Sequence, residues 1–101
     1  MTITIHIKTD GHRAPGKLAD AEIHFSGGEL DGLKLVGFAV WKSSDGGREF
    51  VSFPTRHFIS EGERHAYRLL RWIEKQDAFA KLEAALLDAY QRASRNGNGA
   101  H

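Results

Sequence analysis

Residues 33 to 53 constrain the fold most. Leu33-Lys34-Leu35-Val36-Gly37-Phe38-Ala39-Val40-Trp41 is dominated by aliphatic, β-branched and aromatic side chains, with Gly37 near its centre. That glycine would break a helix, whereas a strand of this length can bend there. The turn-forming cluster Ser43-Ser44-Asp45-Gly46-Gly47 follows, and Arg48 to Phe53 reads as a returning strand. The stretch is therefore a hairpin, and a chain that contains it must build a sheet. Pro54 has no N–H to give to a ladder and suits the strand end.

The remaining segments fit a sheet followed by a helix. Ile3, Ile5 and Ile7 alternate with Thr4 and His6, the mark of a half-buried strand. Asp10, Gly11, Pro15 and Gly16 form a loop. Leu18 to Phe25 is a second strand, with Ala19, Ala21, Ile23 and Phe25 on one face and Asp20, Glu22 and His24 on the other. Gly27-Gly28 ends it. Residues 55 to 63 read as a polar loop. Residues 64 to 74 suit a helix or a strand, and periodicity leaves both open. From Asp77 to Ala93 the pattern is helical: Phe79, Leu82, Leu86, Tyr90 and Ala93 recur at three- and four-residue steps. Asp77 is placed to cap the first turn, and alanines 78, 80, 84, 85 and 89 favour the helix. Asn96 to His101 reads as a frayed tail. No internal repeat is visible.

A chain of 101 residues is one domain, here residues 1–94 with a tail at 95–101. At this size folding removes roughly two-thirds of the unfolded surface from water, so the core is thin. One helix covers only one face of a sheet, and the hairpin is apolar on both. A second copy should cover the rest, and a homodimer is expected. No run of about 18 apolar residues occurs, so no transmembrane helix is expected. Met1 to Lys8 lacks a basic region followed by an apolar block, so no signal peptide is expected. Cysteine is absent, which excludes disulfides, thiolate metal sites and a cysteine nucleophile. A cytoplasmic location fits.

Catalytic patterns are missing. The six histidines, at 6, 12, 24, 57, 65 and 101, fall in no metal-ligand spacing. Ser43, Ser44, Ser52, Ser60 and Ser94 sit in no nucleophile motif. Gly27-Gly28 and Gly46-Gly47 are too short to cradle a phosphate and belong to turns. No enzyme activity, cofactor, bound metal or small-molecule substrate is expected. What remains is a basic and aromatic set: Arg48, Arg56, His57, Arg64, His65, Arg68, Arg71 and Lys75, interleaved with Phe50, Phe53, Phe58, Tyr67 and Trp72. Guanidinium groups pair with phosphates, and aromatic faces can stack on unpaired bases. Phe50, Phe53 and Tyr67 are expected in the core. Arg56, after Phe53-Pro54-Thr55 at the mouth of a loop, is expected to be exposed. The formal net charge is only +1, but six of the nine cations after residue 47 lie between Arg48 and Lys75.

Phe53-Pro54-Thr55-Arg56 resembles the M-P-S-K-R element of the SpoVG (stage V sporulation protein G) family. Ile3 to Lys8 resembles that family's first strand, and Leu18 to Phe25 its R-A-I-A-S-I-T-L strand. Leu33 to Trp41 with Ser43 to Gly47 resembles the long strand and glycine-bearing turn before M-P-S-K-R. Tyr67 to Ile73 falls where the family has its last strand. Lys81 to Arg92 is similar to its terminal helix, K-I-Q-D-A-V-L-N-E-Y-H-R. The resemblance spans residues 3 to about 93.

The resemblance implies an α+β fold: a small antiparallel sheet of about five consecutive strands, with residues 64 to 74 as a strand, then a C-terminal helix. It also implies a homodimeric bacterial regulator that binds DNA and RNA. Position by position, the loop lysine of the family matches Arg56 and the next arginine matches His57. His57 is mostly neutral at pH 7, so one fixed charge is lost. Two glutamates, Glu61 and Glu63, stand close by. The expected site is Arg56 as phosphate anchor, with His57, Arg64, Arg68 and Arg71 contributing less. The alternative is a non-enzymatic protein-interaction module that uses a sheet edge or the C-terminal helix. The near-neutral charge favours it.

Overall fold

The computed structural model describes residues 1–9 and 14–99. Strands β1 (Thr2–Lys8), β2 (Lys17–Ser26), β3 (Lys34–Lys42) and β4 (Glu49–Ser52) form one antiparallel sheet in chain order. A single 3-10 turn at Gly28–Leu30 links β2 to β3. Strands β5 (Thr55–Ser60) and β6 (Glu63–Arg68) form a separate two-stranded ribbon, and helix α1 (Ala78–Gly99) follows. The fold is α+β, with six strands in two sheets among the described residues. Part of the loop expected at Asp10 to Gly16, and Ala100 and His101, lie outside the described residues.

The alternation of apolar residues decides which face carries the core. Ala19, Ala21 and Ile23 of β2, Phe38 and Val40 of β3, Val51 of β4 and Leu86 of α1 are all buried together. Leu82 and Tyr90 pack against them, as their helical spacing requires. The expected bend at Gly37 is real. Ala21 pairs with Phe38 but Ile23 pairs with Leu35, so β3 carries an extra residue there. Gly37 has φ 106°, and a Cβ on it would stand 3.2 Å from the Pro54 Cβ. Only glycine fits both constraints.

Three expected boundaries move. Residues 55–60 are strand, not loop. Glu61 and Gly62 both take positive φ, 53° and 79°. That is the backbone of a two-residue primed turn, which folds β5 directly back onto β6. Leu69 to Asp77 lie outside the strand, so only the first part of 64–74 is extended. The helix also continues past Ala93 through Gly99, where a tail was expected from residue 95. Once a helix is established, each added residue costs little, so weak formers can extend it.

Glu22 departs from the simple alternation too. It lies on the face away from the helix, yet it is buried, at 7 % exposure. Lys8 and Lys34 reach over it from the neighbouring strands, 3.5 and 3.4 Å from its carboxylate, and His24 Nε2 lies 2.8 Å away. Long lysine stems cover a neighbour while their ammonium groups stay in water. The His24 hydrogen bond, with Lys34 and Lys8 beside it, lowers the Glu22 pKa to about 2.

Candidate nucleic-acid interface

The ribbon starts at Pro54, which is buried, and its base is tied by a 3.0 Å hydrogen bond from the Leu69 amide to the Pro54 carbonyl. Beyond that point nearly every residue of β5 and all of β6 are exposed. Exposure on both faces explains the polar composition, because no face has a core to meet.

The register sorts the expected site residues. Arg56 pairs with Tyr67 and Phe58 with His65, so these four share one face. His57, Arg64 and Arg68 alternate onto the other. Arg71, just past β6, folds back so that its guanidinium stands 4.0 Å from the Tyr67 ring centre. Arg71 and Arg56 therefore both adjoin Tyr67, while Arg64 and Arg68 stand apart from Arg56. Arg56 itself is on a strand rather than a loop. Among the described residues, no carboxylate lies within ion-pair distance of Arg56, Arg64, Arg68 or Arg71. Arg71 Nε donates to the Arg68 carbonyl at 3.2 Å, and none of the four charges is paired with a carboxylate.

The rings around these arginines are largely open. Tyr67 is 49 % exposed, Trp72 44 % and Phe58 42 %. Tyr67 and Phe50 were expected in the core, and both are exposed; Phe53 is half-buried. The described chain folds no second layer over the ribbon, so its rings meet no core. Phe58 stacks on its cross-strand partner His65, with centroids 5.1 Å apart.

A chain of ring contacts roots this surface in the core. Buried Phe38 meets Phe53 at 5.8 Å, Phe53 meets Phe79 at 4.8 Å, and Phe79 meets Trp72 at 5.3 Å. Arg68 lies over Phe79, 5.4 Å from its centre. Phe79 is the residue that sequence reasoning missed, because its helical spacing assigned it to the core alone. Its place in the helix's first turn, soon after the basic stretch, is the signal that could have found it.

Among the described residues, no helix is long and apolar enough to cross a membrane. No protein-family model, curated protein or solved structure matches the chain.

Proposed function

We propose that this chain is a non-enzymatic, cytoplasmic regulator of the SpoVG type that binds DNA or RNA, as a homodimer, chiefly through phosphate contacts. The observation that carries the reading is the set of four arginines without carboxylate partners on and beside an exposed ribbon that bears aromatic residues. An exposed arginine that is free of carboxylates is poised for a phosphate oxygen. Arg56 is the anchor, with Arg71 next to it across Tyr67. His57, Arg64 and Arg68 serve the opposite face.

A salt titration tests this. Binding of a short oligonucleotide should weaken log-linearly with salt, with a slope that counts the phosphates contacted. Absence of any binding at low salt would remove the proposal. The second reading, a protein-interaction module, draws on Leu69 and Ile73, which are 59 % and 94 % exposed, and on the unpaired edges of the ribbon. Its binding to a protein would survive salt that abolishes phosphate contacts.

A further inference from the structure

We infer that the ribbon takes single-stranded nucleic acid, seating unpaired bases against Tyr67 and Trp72 with the flanking arginines on phosphates. This rests on the phosphate-binding reading above and adds strandedness and base contact to it.

Among the described residues, three hollows follow one another along the ribbon, the last reaching round to its opposite face. The first, of about 380 Å³, is walled by Tyr67, Arg68, Arg71, Trp72 and Phe79. The second, of about 370 Å³, is formed by Arg56, Phe58 and Tyr67. The third, of about 320 Å³, takes His57, Ile59 and Arg64 together with Phe58 and His65, toward the turn. Neighbouring hollows share a ring: Tyr67 joins the first to the second, and Phe58 joins the second to the third. Each contains at least one aromatic ring and at least one arginine.

That repeat matches the chemistry of a single strand, which offers a bare π-face and a phosphate at every nucleotide. A duplex presents its phosphates but keeps its bases stacked inside, so it would leave the rings without partners. Each hollow lies within the roughly 300–1,000 Å³ range of small-molecule sites, ample for one base and its sugar. Arginine planes are themselves stacking surfaces, and Arg71 over Tyr67 and Arg68 over Phe79 extend the platform. The ring contacts from Phe38 through Phe79 hold Trp72 at the surface instead of letting it collapse inward. Charge selects the occupant, because the three linings hold four arginines and no carboxylate, which suits a polyanion.

The test uses the full chain with a labelled oligothymidylate and a duplex of equal length, at low salt. Tryptophan emission should fall on adding the single strand, and this quench should vanish in Trp72→Phe, which keeps a ring and leaves Trp41 as the remaining emitter. Trp72→Ala should weaken single-strand binding about ten-fold while duplex binding changes less than about two-fold. Arg56→Ala should weaken both. If Trp72→Ala leaves single-strand binding intact, or weakens both forms equally, base stacking is overturned and phosphate binding stands. If the wild type binds neither form, both proposals fall. If Trp72→Ala converts a dimer to a monomer without nucleic acid, the first hollow is a subunit contact and the inference is overturned.

Discussion

The Glu83 carboxylate of α1 accepts a 3.0 Å hydrogen bond from the amide of Val51, on the outer edge of β4. Edge amides are templates for unwanted pairing, and here a helix side chain occupies one. Glu83→Ala should lower stability by about 1–2 kcal/mol, since a charge-assisted bond is lost and a partly buried N–H is left without its partner. Glu83→Gln, which keeps the acceptor, should recover much of that. Urea denaturation of both variants measures it; equal loss in the two would show that charge, not hydrogen bonding, matters.

Arg56→Ala should weaken oligonucleotide binding for all sequences and reduce the salt slope by about one unit. Arg92→Ala should do less, because its guanidinium is already paired with Asp88 one turn earlier on α1. His57→Arg should strengthen binding by adding a fixed charge. Fluorescence anisotropy across a salt series checks the three. Equal, small effects from Arg56 and Arg92 would mean diffuse attraction without a site.

The ribbon turn holds Glu61 at φ 53°, a region that asparagine tolerates far better than glutamate. Glu61→Asn should stabilise the ribbon by about 0.5–1 kcal/mol. Gly62→Ala, at φ 79°, should destabilise it by about 1 kcal/mol. Hydrogen exchange of the β5 and β6 amides reads both: protection rises in the first and falls in the second.

Glu22 gives a pH dependence whose sign is fixed. Its folded pKa, about 2, lies below the ordinary 4.5. Its contribution is therefore complete above pH about 4.5 and is lost as pH falls from there toward 2. Thermal melts across this window should show the midpoint falling more steeply in the wild type than in Glu22→Gln. Parallel curves would mean that the carboxylate is not held by His24, Lys34 and Lys8.

A Cα radius of gyration of 15.2 Å exceeds the roughly 13 Å of a compact chain of this length. An isolated two-stranded ribbon is marginal in water, so it needs a neighbour. Light scattering should find a dimer at micromolar concentration. Ile73→Asp should shift it toward monomer without unfolding the chain, because Ile73 is 94 % exposed. Neither Ile73 nor Leu69 lines the three hollows, so dimer and nucleic acid need not compete. A stable monomeric wild type would overturn this expectation.

The four-stranded sheet and the helix were legible because each has one buried face. The alternation around Ala19, Ala21 and Ile23 and the spacing from Phe79 to Tyr90 record that burial directly. The ribbon was illegible for the converse reason. With both faces exposed, β5 and β6 show no period-two pattern, and Glu61-Gly62 is not a strong turn dipeptide. The exposure of Tyr67 could not be read from its ring, which is equally at home in a core. Arg56 was found because Pro54 marks the end of β4, but its face, and its separation from Arg64, depend on a strand register that local sequence does not print. The burial of Glu22 depends on Lys8 and Lys34 from two other strands.

Apart from Leu70, which is half-buried against its margin, no residue between Thr55 and Glu74 helps to fill the core. The ribbon can therefore accumulate substitutions without emptying the interior that holds the sheet to the helix. Such a division lets drift and selection act separately on scaffold and surface. It also makes residues 55 to 68 a graftable unit: a designer could exchange this hairpin for another, joined at Pro54 and Leu69, and keep the same foundation.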